Sequence, residues 1–269
     1  MEKPLPNGVE SAGLEPARHL AAYGWSPAEP LLGAGEARLL LETGSAIQSR
    51  LSQPQDWRRG VEPDFARRPW FKSLHAVSAA WFDLGHHPTI VSRVSAVLGK
   101  DVLLWGSALI TRHPGQVHRW HVDVEHMAWP GVSVFIGLEG VQPGLSGLKF
   151  IRHSHRFATG PATSISDELA LALARQAEPR CALDYPPITD NEFLLFSGRI
   201  WHGSVNRSTT VRHAAILQYS VPSSRTAIPL NFDPPITWSR HAPPCVLVAG
   251  SDRYAVNHLV ERPSGPGSA

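Results

Sequence analysis

The stretch "FLLFSGRIWHGSVNRSTTVRHAAILQY", residues 193–219, decides how the rest of the chain is read. It opens as an apolar strand from Phe193 and breaks at Gly198. A histidine follows at 202, then a polar turn of Asn206, Arg207, Ser208 and Thr209. A second strand begins after the turn. Side chains two apart on a strand share a face, so Arg212, Ala214, Ile216 and Gln218 point the same way. Arg212 is the lone charge on a face that otherwise starts apolar. A guanidinium is costly to bury unless a carboxylate or phosphate meets it with paired hydrogen bonds. With His202 one strand back, the pattern asks for an anion held beside a metal.

The partner lies upstream, in "HRWHVDVEH", residues 118–126. His121 and Asp123 have strand spacing for one face, so an imidazole nitrogen and a carboxylate oxygen converge on one point. His118 is three residues from His121, which reverses the parity and predicts the opposite face. Glu125 and His126 fall on a loop after the motif, where they are candidates to touch substrate; Arg112 and Trp129 join them on that list. Two histidines and one carboxylate with an open face form the facial triad of non-haem Fe(II) oxygenases. A 2-oxo acid fills two of the open positions through its keto oxygen and C1 carboxylate, and O2 takes the last. Arg212 then suits the C5 carboxylate of 2-oxoglutarate, which a lysine could neutralise but not fork onto.

Helical spacing predicts helices over residues 34–51, 71–85 and 87–100, the last with Pro88 near its start and Gly99 near its end. Residues 1 to about 30 are punctuated by Pro and Gly and read as a wrapping or fraying segment. From Asp101 the period changes to that of strands: "DVLLWGSALITRH", "GVSVFIGLEG", "GLKFI", "FLLFS" and "VRHAAILQYSV", with one helical insert at 166–176. Helices first and many short strands later predict a mainly β protein with flanking helices. The expected organisation is one domain over 1–269. It has N-terminal helices at about 30–100, a β core at about 101–222, and a C-terminal extension at 223–269 with a disordered tail.

Composition narrows the function classes. Apolar residues make up 42 % and charged residues 18 %, as in ordinary globular proteins. A net charge of +2 gives no case for nucleic acid or an acidic membrane surface as partner. Fourteen histidines are an excess that favours metal chemistry, while Cys181 and Cys245 lack ligand spacing and read as structural. The first residues show no apolar signal core, and no run approaches a membrane span, so the expected location is the cytoplasm.

Three segments, "WHVD" at 120–123, "SGLKFIRHSHR" at 146–156 and "LLFSGRIWHGSVNRSTTVRHA" at 194–214, resemble the phytanoyl-CoA dioxygenase-like (PhyH) family of Fe(II)/2-oxoglutarate oxygenases. The resemblance implies a double-stranded β-helix (a cupin-like jelly roll). It implies His121, Asp123 and His202 as iron ligands, and Arg212 helped by Ser204 as the 2-oxoglutarate site. It also implies Fe(II), 2-oxoglutarate and O2 as cofactor and cosubstrates, with a small-molecule substrate of specialised metabolism hydroxylated at an unactivated C–H bond. Halogenases on this scaffold lack the carboxylate, so Asp123 disfavours halogenation. Two departures stand out: Arg152-His153-Ser154-His155 replaces the family's Pro-Gly-Ser-His turn, and Val122 replaces a common Gln. Contacts from the preceding strand fall to Ser107 and Thr111 as weak candidates.

Other readings weigh less. His153 and His155 have the H-x-H spacing of a cupin metal site, but no Glu follows at the usual distance. Trp120 and Trp201 read as packing around the barrel, and Arg112, Lys149, Arg152 and Arg156 leave room for an anionic substrate. A metal-dependent hydrolase or isomerase on the same scaffold has no need of Arg212. A non-catalytic jelly-roll binding protein would usually have lost one of the four site residues.

Overall fold

The computed structural model describes residues 9–51, 70–123, 129–161, 164–231 and 235–264. In chain order the helices among them are α1 (Val9–Tyr23), α2 (Ala34–Leu51), α3 (Leu74–Val77), α4 (Ala79–Gly85), α5 (Pro88–Leu98) and α6 (Asp167–Ala177). The strands are β1 (Glu29–Pro30), β2 (Val102–Arg112), β3 (Val117–His121), β4 (Val132–Glu139), β5 (Leu148–Ile151), β6 (Leu183–Asp184), β7 (Glu192–Ser197), β8 (Trp201–Val205), β9 (Arg212–Ser220), β10 (Pro244–Ala249) and β11 (His258–Leu259).

Two sheets form, a large one in the order β1-β7-β4-β9-β2-β10-β11 and a small one in the order β3-β8-β5-β6. Strands distant in sequence lie side by side, β2 against β9 and β4 between β7 and β9, as a jelly roll requires. Each face of the large sheet has its own job. Ala215, Leu217 and Tyr219 of β9 join Leu104, Val134, Ile136 and Leu195 in a core with Leu40, Trp81, Ile90 and Val94 from the helices. The opposite face sends Phe135, Leu194, Phe196 and Ala214 toward Leu148 and Phe150 of the small sheet. The alternation in β9 is that of a strand covered on both sides, with Arg212 inward as expected.

The expected helix over 34–51 and the strands of β2, β4, β5, β7 and β9 are present. Four features differ. The segment before residue 30 carries α1, whose last carbonyls, Ala21 and Ala22, receive hydrogen bonds from His155, His153 and Arg156. Such distant partners outweigh the local breakers. The helix over 71–85 is two, because Ser78 is extended (φ −137°, ψ 122°). Residues 201–205, which follow the Gly198 break, form β8, paired with β3 on one side and β5 on the other. The large sheet also recruits β10 against β2, so the core extends past residue 222. The tail at 265–269 lies outside the described residues, and among those described no helix is long and apolar enough to cross a membrane.

Candidate metal centre

The antiparallel pairing of β3 with β8 sets His121 directly opposite His202. Asp123 lies just past the end of β3, its position fixed by a hydrogen bond from its backbone N–H to the Gly198 carbonyl (2.8 Å). The Asp123 Oδ1 is 3.8 Å from His121 Nε2 and 3.5 Å from His202 Nε2. One donor atom from each of the three lies within 4.8 Å of the others, close enough to share a metal ion.

Each donor is also aimed. A carbonyl only accepts, so the His121 Nδ1–H donates to Arg119 O (2.9 Å) and the His202 Nδ1–H to Ile200 O (2.9 Å). Both rings therefore turn their Nε2 lone pairs toward Asp123. Ser133 on β4 donates its hydroxyl to Asp123 Oδ2 (2.8 Å), which leaves Oδ1 as the oxygen facing the imidazoles. Burial, with His202 as a neighbour, pushes the His121 imidazole down to about 3, so it is neutral at physiological pH as a metal ligand must be. The donor set thus fits a divalent metal with open positions.

His118 does not face away from His121. The register shifts between His118 and His121, a bulge that cancels the parity argument, and the two rings stand 4.3 Å apart. His118 is exposed at the edge of the centre.

The inner face of the large sheet runs away from this centre in rows. Phe196, Ser133, Gln218 and Gly106 make the row under Asp123; Leu194, Phe135, Ile216 and Ala108 make the next. At the far end Arg212 stands across from Arg112. Arg212 is 1 % exposed, donates to Ser146 O (2.8 Å) and lies 5.5 Å from the Phe135 ring centroid. Its Nε has no hydrogen-bond partner, and among the described residues no carboxylate pairs with it. Burial, then the like charge of Arg112, pulls the guanidinium down to about 10, still charged at neutral pH. A buried cation with an orphan donor fits an anion such as a carboxylate. Ser204 is buried two residues past His202 on the same face of β8, and pairs with Leu148, two residues from Ser146.

Other candidates are placed elsewhere. Ser107 and Thr111 alternate onto the outer face, where Ser107 contacts His75 and Thr111 contacts His213, so neither reaches the centre. Lys149 pairs with Asp167, Arg152 forks onto Asp184 (2.5 and 2.9 Å), and Arg156 bonds Ala21 and Ala22; these cations hold the fold. His153 and His155 bond the end of α1, which removes the H-x-H alternative. Trp120 donates to Asp167 and Trp201 to Thr159 O, both packing roles. Cys181 and Cys245 are buried thiols. Arg112 sits at the Arg212 end, and Trp129 packs with Trp105 and Trp238. Glu125 and His126 lie outside the described residues. Sequence reasoning missed Ser133, although its place on the alternating β4 pattern was readable; what it lacked was the sheet order.

The family model for phytanoyl-CoA dioxygenase (PhyH) matches residues 22–214. No curated protein sequence matches the chain. Among solved structures, the chain is similar to the non-heme monooxygenase ThoJ in its apo form (TM-score 0.65, 20 % identity, covering 92 % of this chain and 88 % of that one). It is similar to the EctD of S. alaskensis with bound Fe (0.60, 20 %, 87 % and 85 %). It is also similar to the epimerase SnoN in complex with Fe3+, alpha ketoglutarate and nogalamycin RO (0.58, 17 %, 81 % and 86 %).

Proposed function

Because the chain belongs to the phytanoyl-CoA dioxygenase family of Fe/2-oxoglutarate-type oxygenases, we propose that it hydroxylates an unactivated C–H bond of a small molecule while 2-oxoglutarate is decarboxylated to succinate and CO2. His121, Asp123 and His202 hold the Fe(II), and Arg212 with Ser204 binds the C5 carboxylate of 2-oxoglutarate. Bound iron supplies the O2 chemistry, and the chain supplies position, charge and exclusion of water. Ser133 fixes the coordinating oxygen of Asp123, and the two backbone carbonyls fix the imidazole tautomers. Phe150 and Phe196 keep the space beside His202 apolar, and Phe135 does the same beside Arg212, which strengthens the Arg212–carboxylate attraction. The substrate is a small molecule met in the cytoplasm, and hydroxylation is favoured over halogenation because Asp123 occupies the position a halide would need.

One observation carries the reading: a buried guanidinium, without a carboxylate among its described neighbours, at the far end of the inner sheet face from two histidines and an aspartate. A hydrolase or isomerase using the same three ligands has no use for that charge. Incubation with 2-oxoglutarate tests the proposal. Succinate should form only with Fe(II) and O2 together, and robust turnover with Zn in the absence of O2 would move the protein to the hydrolase class.

A further inference from the structure

Beyond Asp123, on the side away from Arg212, the inner face ends in Gln218 and in three side chains that can only donate hydrogen bonds, Lys72, Trp105 and Trp129. Gln218 lies in the row beside Ser133, its side chain folded over Gly106, where a Cβ would come within 2.9 Å of the Gln218 Oε1. Lys72 donates to that Oε1 (3.0 Å), and its charge is near enough to His121 to disfavour protonation of the imidazole. The segment carrying Lys72 is pinned to β2: Ser107 N–H donates to Lys72 O (2.9 Å), and His75 N–H donates to the Ser107 hydroxyl (2.7 Å). Lys72 Nζ is 5.9 Å from the Trp105 ring centroid. Trp105 meets Trp129 edge to face (5.5 Å, 88°), and Trp129 meets Trp238 (5.5 Å).

Trp105 is 0 % and Trp129 4 % exposed, yet neither indole N–H has a hydrogen-bond partner. An indole N–H cannot accept, and a buried donor without a partner is destabilising. A neighbouring ring face is a weaker acceptor for an indole N–H than an oxygen is. Two indole rings, two orphan donors and an ammonium therefore lie together at this end of the inner face, next to the candidate metal centre through Gln218 and Ser133.

We propose that Trp105, Trp129 and Lys72 form the substrate-recognition end of the site, and that the substrate is a flat, apolar molecule presenting a carboxylate. The rings supply the stacking surface, the indole N–H groups and the ammonium meet the carboxylate oxygens, and Gln218 orients the ammonium. The proposal rests on the oxygenase reading for its claim that this ligand is the substrate.

Calorimetric titration of the anaerobic Fe(II)- and 2-oxoglutarate-loaded protein with 2-naphthoate, and separately with 2-methylnaphthalene, tests it. Naphthoate should bind and methylnaphthalene should bind at least about 10-fold more weakly, the usual size of a charged hydrogen-bond effect. Trp105→Phe and Trp129→Phe keep the ring and remove the donor; at least one should weaken naphthoate by about 10-fold without lowering the melting temperature of the ligand-free protein by more than a few degrees. Lys72→Met should abolish the preference for naphthoate over methylnaphthalene. Trp120→Phe, which removes an indole N–H bonded to Asp167, should leave naphthoate binding unchanged. Equal binding of the two probes, or naphthoate affinity unmoved by both Trp105→Phe and Trp129→Phe, would overturn the proposal. Failure of the oxygenase reading shows separately, as absence of 2-oxoglutarate binding before any probe is added.

Discussion

Arg212 is the residue whose replacement separates ligand binding from folding. It is 1 % exposed, makes a hydrogen bond to Ser146 O, and leaves its Nε without a partner. Among the described residues no carboxylate offsets this buried charge, and Arg112 across the strand pair worsens it. A bidentate fork onto a carboxylate is worth about 3 kcal/mol when one partner is deleted, which corresponds to roughly 10²-fold in affinity. Arg212→Met keeps the length and removes the charge. It should raise the dissociation constant for radiolabelled 2-oxoglutarate, measured by equilibrium dialysis with Fe(II) under nitrogen, by roughly 10²-fold. The same variant loses one hydrogen bond but also the desolvated charge, so its urea midpoint without ligand should be unchanged or higher. Arg212→Lys should recover only part of the affinity, since an ammonium cannot bind both oxygens in a fork. Undiminished 2-oxoglutarate binding by Arg212→Met would refute the anchor assignment. A variant that failed to fold would refute the view that this charge is kept for a ligand.

Ser133→Ala removes the donor to Asp123 Oδ2 and should weaken Fe(II) or Co(II) binding by about 10-fold in a chelator competition, with Ser133→Thr restoring it. His75 is fully buried and its ring is pushed down to about 4 by burial, with its bond to Pro244 O offsetting a little. As pH falls from about 6.5 to 4 the unfolded chain gains a proton that the folded ring refuses, so stability is full above 6.5 and declines below it. Urea titrations should show His75→Gln losing up to about 3 kcal/mol less than the parent across that window, and parallel curves would refute the assignment. Gly137 faces Ala214 inside the sheet, and a Cβ there would sit 2.4 Å from the Thr189 carbonyl oxygen. Gly137→Ala should therefore destabilise by about 1–3 kcal/mol, read as a lower urea midpoint.

What the sequence revealed follows from how local each signal is. His121, Asp123, His202 and Arg212 stood out because strand parity and a buried-charge argument act within a few residues. The same parity rule misplaced His118, because a bulge between His118 and His121 depends on how β3 meets β8 and not on β3 alone. Ser133 and Gln218 reach the centre only because β4 lies beside β9, a neighbour relation set by the order of strands far apart in the chain. Lys72, Trp129 and Trp238 are brought together from three segments without a common motif, by packing against β2. The helix α1 was hidden for a similar reason: its stabilising partners, His153, His155 and Arg156, lie more than a hundred residues away.

The central claim is that His121, Asp123 and His202 hold an iron to which 2-oxoglutarate binds while Arg212 takes its far end. Anaerobic addition of Fe(II) and then 2-oxoglutarate, followed by visible absorption, tests it most directly. A weak metal-to-ligand charge-transfer band should appear with one equivalent of Fe(II), saturate with 2-oxoglutarate, and be absent from Asp123→Ala and His202→Ala. No band from the folded parent protein, or a band of full strength in either variant, would contradict the account.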